Sequence, residues 1–355
     1  MMAKLAVLAV LASLLSSVSC EFSIYAGYGY PPPNPSQPYP LPPACPPLSP
    51  APSLKVGYYA DKCPCAEDVV RDAVRNATAG EKAGLVRLFF HDCFVQGCDA
   101  SVLLSGPQTE RTAFPNLSLR GFEVIDAAKA ALEKACPGVV SCADIVAFAG
   151  RDASYSLSDG QINYGVPAGR YDGNVSRDID TFFNLPPPFG DLNLTTAMFA
   201  AKGLNENDMV VLSGAHSIGR SSCNSFSDRL PPAANSSTAM EPILAADLTN
   251  TCSAGSVNVP QDFRTADTLD IQYYKNVLSR DVLFNSDASL TTSLLTNGWV
   301  DFYAGNRPSF LGKYLAPFVW HNDFGEAMVK MGNIGVKTGP PEGEIRSKCW
   351  SVNNP

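Results

Sequence analysis

The chain has 355 residues, 45% hydrophobic and 17% charged, enough apolar material for one large core or two modest ones. A formal charge of −8 with no clustered run of Lys and Arg argues against a nucleic-acid partner, because phosphate binding needs such clusters. After the first twenty residues, no stretch reaches the roughly 18 consecutive apolar residues of a membrane helix.

Residues 1–20 place Lys4 before an apolar run from Leu5 to about Leu15 and then small residues from Ser16 to Cys20. That is the layout of a cleaved signal peptide, so the mature chain is expected to be soluble, exported and free of a membrane span. Residues 21–52 follow as a proline-rich arm; between Pro31 and Pro52 proline outnumbers all other residues, which forbids helix and sheet and predicts extended polyproline II. The arm reads either as a spacer or as an attachment to an extracellular, cell-wall type matrix. Residues 53–355 form the globular domain.

Export fits the cysteine content, since disulfides persist where no thiol buffer reduces them. Beyond Cys20 there are ten: Cys45, Cys63, Cys65, Cys93, Cys98, Cys136, Cys142, Cys223, Cys252 and Cys349. A zinc site is the competing reading, but the chain has three His and no paired CxxC knuckles, so the cysteines read as disulfides.

Within the domain, apolar residues recur at helical spacing. Glu67 to Val74 reads as a helix; so do Phe122, Ile125, Ala128 and Leu132, with Lys129 pointing outward, and the run after Asn205 as N-cap. Alternating strand patterns are scarce, and connections such as Leu185 to Asp191 and Leu230 to Ala234 are marked by Pro and Gly. The domain is expected to be all-α.

The segment RLFFHDCFVQGCDASVLL, Arg87 to Leu104, concentrates the chemistry. On a helix, Arg87 and His91 share a face. Peroxide chemistry uses such a pair: a neutral imidazole moves the proton from one oxygen to the other, and a fixed cation stabilises the departing oxygen; the spacing alone fits better a helix with a satisfied His and a surface Arg. Just downstream, Asp92, Asp99 and Ser101, with the backbone carbonyls of Val95 and Gly97, can form an oxygen-only shell that suits Ca²⁺.

On these motifs the chain resembles the secreted plant peroxidases, class III of the plant haem peroxidase superfamily, from about Leu54 to Cys349. The resemblance implies the haem peroxidase fold, with haem b between distal and proximal helical halves, two Ca²⁺ sites, and disulfides. It makes Arg87 and His91 the catalytic pair and sets Phe90 over the distal face of the haem. Asn116, in TERTAFPNLS, becomes the acceptor for the His91 N–H, and Glu110 the carboxylate that reaches the distal calcium through water. The segment DMVVLSGAHSIGRSSC resembles the haem-ligand signature, which implies that His216 binds the iron. Asp287, in LFNSDASL, matches its carboxylate partner; a simple turn or cap Asp is the alternative.

Ser217 matches a proximal calcium ligand, together with Asp262, Thr265, Thr268 (through its backbone) and Asp270. There the pattern loosens, because Ala266, Leu269 and Ile271 replace the family's usual Pro, Phe and Asn. Pro186, in NLPPPF, matches the position whose carbonyl receives aromatic donors at the haem edge, and Asp144 and Arg170 resemble a buried ion pair, with Tyr171 replacing the family's second Arg. The pairings implied are Cys63 with Cys136, Cys93 with Cys98, Cys142 with Cys349 and Cys223 with Cys252. Cys45 and Cys65 remain, and pairing between them would tie the arm to the domain.

Sequons stand at Asn76, Asn116, Asn174, Asn193 and Asn235; the role given to Asn116 predicts that it stays unglycosylated. The resulting expectation is a monomeric, secreted peroxidase that reduces hydrogen peroxide and oxidises small phenolic donors in one-electron steps, in cell-wall, lignin or oxidative-stress roles. One rival is a matrix-binding protein with a weakly active or degenerate haem domain. A second, a hydrolase on Ser213, lacks the GxSxG context.

Overall fold

The computed structural model describes residues 54–232, 238–253, 255, 257–306 and 310–353. The signal segment, the proline-rich arm with Cys45, and Asn235 lie outside the described residues, as does part of the connection after Leu230.

The domain is all-α, as the patterning predicts. In chain order the helices are α1 (Ala66–Arg75), α2 (Ala79–Val95), α3 (Phe122–Ala135), α4 (Cys142–Leu157), α5 (Asp178–Asn184), α6 (Leu192–Ala201), α7 (Glu206–Ser213), α8 (Pro242–Ser253), α9 (Gln272–Ser279), α10 (Asn285–Ser289), α11 (Leu294–Tyr303) and α12 (Phe310–Met331). The sheet among the described residues is a short antiparallel pair, β1 (Arg220–Ser222) with β2 (Asn258–Pro260), in register Arg220 to Pro260.

Local chemistry explains where the key helices begin. Thr78 caps α2 through a reciprocal capping box with Glu81, and Asn205 caps α7 in the same way with Asp208. Both ends satisfy backbone N–H groups that the helix itself cannot. α2 packs along α4 in the middle of the domain, where Gly150 of α4 lies so close to Phe89 that a Cβ would stand 3.1 Å from its ring. Leu88, Phe89 and Phe94 of α2 are buried in this seam, each contributing about 1.5–3 kcal/mol over an exposed position.

One side chain departs from expectation. Lys129 of α3 is buried rather than outward, because its Nζ donates to the Val140 carbonyl at 2.6 Å and pairs with Glu133 at 2.6 Å. A buried ammonium persists where its N–H groups find such acceptors.

The four pairings implied by the resemblance are present: Cys63–Cys136, Cys93–Cys98, Cys142–Cys349 and Cys223–Cys252. Cys65 is a free thiol among the described residues, its Sγ 3.9 Å from that of Cys63. Asp144 and Arg170 form the expected buried ion pair at 2.7 Å, and the Tyr59 hydroxyl donates to the same carboxylate at 2.7 Å. The tail of the domain folds back onto the loop after α2. Arg346, fully buried, donates from Nη2 to the Ala100 carbonyl and from Nη1 to the Cys349 carbonyl, both at 2.7 Å, and Cys98 N–H donates to the Ile334 carbonyl at 2.9 Å. Gly97 (φ 98°) abuts Gly335 so closely that a Cβ would stand 2.5 Å from the Gly335 carbonyl oxygen.

Candidate active site

α2 carries Arg87 and His91 one turn apart, and the segment from Glu110 to Asn116 folds over them. Arg87 Nε donates to His91 Nε2 at 3.1 Å, while its Nη1 and Nη2 donate to Ser118 Oγ (2.8 Å) and the Pro115 carbonyl (3.0 Å). On the other side of the ring, His91 Nδ1 lies 2.6 Å from Asn116 Oδ1, and Asn116 Nδ2 donates to the Glu110 carbonyl at 2.8 Å. That last bond fixes which end of the amide is oxygen. With a guanidinium N–H aimed at Nε2 and an amide oxygen at Nδ1, the proton belongs on Nδ1 and the Nε2 lone pair stays available.

Burial, and then the charge of Arg87, hold His91 well below its ordinary pKa, so the ring is a neutral base in solution near neutrality. Arg87 is itself lowered to about 10 by burial and remains a cation. Phe90 stands edge-on to the imidazole with ring centroids 5.3 Å apart.

The last turn of α2 and the segment after it gather Asp92, Asp99, Ser101 and Glu110, all fully buried. Asp92 Oδ1, Ser101 Oγ and both Glu110 carboxylate oxygens have no hydrogen-bond partner. Burial, then the neighbouring Asp92, pushes Glu110 up to about 9; burial and Asp99 raise Asp92. Orphaned, mutually repelling oxygens at the centre of a protein are costly unless a cation joins them, and an oxygen-only set suits a hard one. Val95 closes α2, and the Gly97 carbonyl accepts the Asp99 N–H at 2.8 Å. Lys337 also pairs with Asp99, a contact 238 residues away in sequence that motif reading misses.

His216 lies just beyond α7, where Gly214 permits the close passage: a Cβ there would stand 2.7 Å from the Trp320 ring and 2.8 Å from the Tyr274 hydroxyl. Its Nδ1 is 2.8 Å from Asp287 Oδ1 on α10, which leaves Nε2 free as a ligand. Tyr273 on α9 donates to the same carboxylate oxygen at 2.7 Å, a second anchor that the sequence reading did not single out. Its signal was available as an aromatic pair directly after the Asp262 to Asp270 segment.

Ser217, Asp262, Thr265 and Asp270 are brought together as expected. Thr265 Oγ1 lies 3.3 Å from carboxylate oxygens of both Asp262 and Asp270, and Ser217 Oγ accepts the Asp270 N–H at 3.2 Å. Thr268 N–H donates to the Thr265 carbonyl, so that turn closes despite Ala266. Pro186 is half-buried in a loop that docks on α10: Ser286 N–H donates to the Pro188 carbonyl at 3.0 Å, one residue from Asp287. Ser213 Oγ donates to the Met209 carbonyl of its own helix, so it is spent on the backbone rather than presented as a nucleophile.

A neutral buried imidazole beside a guanidinium, and a second imidazole backed by a carboxylate, on an all-α disulfide-linked frame, define the class of helical peroxidases. A family model described as Peroxidase matches residues 66–306. The chain is 47% identical over 320 residues to Peroxidase 2 of Zea mays, covering 86% of this chain and 91% of that protein. It is 45% identical over 315 residues to Peroxidase 5 of Vitis vinifera (85% and 92%) and 41% identical over 314 residues to Peroxidase 39 of Arabidopsis thaliana (84% and 93%). The chain belongs to the plant peroxidase family, class III, and is a haem peroxidase; nothing in these relatives favours a degenerate matrix-binding protein.

Proposed function

We propose that this chain is a secreted enzyme that binds haem b through His216 Nε2, holds two Ca²⁺, and uses Arg87 and His91 to cleave hydrogen peroxide at the expense of small phenols. The observation that carries the reading is the double constraint on His91: Asn116 takes the Nδ1 proton and Arg87 marks the Nε2 lone pair.

Haem, when bound, supplies the iron at which the O–O bond breaks and the one-electron oxidising capacity that follows. His91 Nε2 would accept a proton from one peroxide oxygen and return it to the other. Arg87, anchored by Ser118 and Pro115, stabilises the negative charge growing on that leaving oxygen. Asp287 draws on the N–H of His216 and makes the ligand more electron-rich, with Tyr273 keeping the carboxylate in place. Phe90 keeps the distal side apolar. The Pro186 carbonyl accepts the phenolic O–H of donors at the haem edge, where contact demands little recognition of shape.

Asp92, Asp99, Ser101 and the carbonyls of Val95 and Gly97 hold the distal calcium, with Glu110 reaching it through water; Ser217, Asp262, Thr265, Thr268 and Asp270 hold the proximal one. Each loop ties a calcium to the residue next to a catalytic histidine. Residues 1–20 direct export to the extracellular space or a vacuole, residues 21–52 serve as a spacer or as an attachment to the wall matrix, and the domain 53–355 works as a monomer. The test is the reconstituted protein's visible spectrum: a Soret band that shifts on adding hydrogen peroxide and returns on adding guaiacol supports the reading. Loss of that shift in H91L, with haem still bound, assigns it to His91. A wild-type Soret band indifferent to peroxide would refute it.

A further inference from the structure

Behind His216 the aromatic rings form an unbroken series to the surface. The His216 and Tyr273 rings have centroids 6.3 Å apart, Tyr273 and Tyr274 5.0 Å, Tyr274 and Tyr303 5.1 Å, and Tyr303 stacks on Trp299 at 6.1 Å with planes 21° apart. Three of these side chains are buried tyrosines, while Trp299 is partly exposed on α11. All are separations at which aromatic rings are in contact.

Hydrogen bonding divides the tyrosines into two kinds. Tyr273 donates to Asp287 Oδ1 and Tyr303 to Asp323 Oδ2, each at 2.7 Å, so each faces a carboxylate that can accept its proton. Tyr274 donates to the carbonyls of Val210 and Val211, which cannot. A tyrosine loses an electron readily only when its proton has somewhere to go.

We infer that Tyr273, Tyr303 and Trp299, with Tyr274 as the bridging ring, conduct oxidising equivalents from the haem to a second donor site at Trp299, which serves phenolic polymers too bulky for the haem edge. This rests on the reading of His216 as the haem ligand. Tyr273 gives one electron to the haem that peroxide has oxidised, and its proton passes to Asp287. Tyr303 refills Tyr273 through Tyr274, its own proton passing to Asp323 while Asp287 returns the first. Trp299 refills Tyr303, which recovers its proton from Asp323. A phenol at the surface then gives Trp299 an electron and releases its proton to solvent. Net, one phenol becomes one phenoxyl radical, the haem gains one electron, and the protein is unchanged. Leu295, exposed and one helical turn before Trp299, gives an aromatic polymer an apolar foothold on the same face of α11.

The test uses the holoenzyme and the same phenol in two forms: free guaiacol, and guaiacyl groups coupled to dextran through a short link. W299F is expected to lower turnover of the dextran-linked phenol about tenfold while changing that of free guaiacol by less than about twofold, and Y303F to do the same. In wild type, a spin trap added with peroxide is expected to leave its adduct on Trp299, found by peptide mapping, and the adduct to vanish in Y303F. Wild-type enzyme that turns over free guaiacol but carries no adduct on Trp299, or W299F with unchanged turnover of the linked phenol, overturns the inference. Failure of wild type to bind haem or oxidise free guaiacol would instead overturn the underlying function.

Discussion

Replacing Asn116 with Val removes the acceptor 2.6 Å from His91 Nδ1 while keeping the volume near that of the original side chain. In the resting protein this bond joins neutral groups; in the proposed mechanism His91 takes the peroxide proton, and the same bond then runs from an imidazolium. Bonds to charged groups contribute about 1.5–3 kcal/mol against about 0.5–1.5 for neutral ones, so the variant loses about 1–1.5 kcal/mol selectively in the charged state. That corresponds to about a tenfold slower reaction with peroxide. H91L removes the base itself and is expected to cost about 10²–10⁴-fold.

The pH dependence gives a second, independent sign. Burial and Arg87 lower the pKa of His91, whereas the bond to Asn116 raises it, so N116V moves the acid limb of the rate profile to still lower pH. Because the folded pKa lies below the ordinary 6.5, keeping His91 neutral contributes stability fully present above 6.5 and lost as pH falls through the window below it. Stopped-flow absorbance of the haem with peroxide, from neutral to acid pH, measures both effects. A rate equal to wild type, or an acid limb displaced upward, would refute the reasoning.

Asp287→Asn takes the anionic acceptor from His216 and is expected to weaken haem retention about 10–100-fold, measured as haem transfer to apomyoglobin. Asp144→Ala strands the buried Arg170 guanidinium and should cost about 3–5 kcal/mol in urea unfolding; an unchanged midpoint would show that the pair is dispensable. Chelation at the proposed calcium sites would leave the orphaned oxygens of Asp92, Ser101 and Glu110 facing one another and should lower the thermal midpoint, while D262A should bind one calcium fewer by metal analysis. Peptide mapping of the secreted protein is expected to find glycan at the exposed Asn76, Asn174 and Asn193 and none at the buried Asn116.

The helices around Glu67 to Val74, Phe122 to Leu132 and Asn205 to Leu212 were legible from local spacing, whereas the disulfide partners and the clusters around both histidines were legible only through the resemblance of their motifs to a known family. Asn116 could be placed against His91 only by resemblance, since the two stand 25 positions apart and the segment between them carries no periodicity that says where the loop lands. The same limit hid the Ser118 and Pro115 contacts to Arg87, the Tyr273 bond to Asp287 and the Lys337 pair with Asp99, all set by tertiary packing. Lys129 was misplaced outward because helical spacing reports which face a residue lies on, while a long side chain with acceptors at hand can bury its head.

The brace of Arg346 and Cys349 on the loop after α2 has a consequence for biosynthesis. Ala100 leaves the ribosome 246 residues ahead of the Arg346 that grips its carbonyl, an interval of about 12–50 s at about 5–20 residues per second. Cys93 and Cys98, five apart, can join as soon as both emerge, but Cys142 must stay unpaired until Cys349 arrives 207 residues later. Arg87 and His91, the pair proposed to handle peroxide, are thus among the first residues of the domain to be made, while the loop that follows them is among the last parts to be secured. During that interval the nascent chain carries an unpaired Cys142 thiol only six residues from Cys136, so a bond between those two competes with closure of the native Cys63–Cys136 and Cys142–Cys349 pairs.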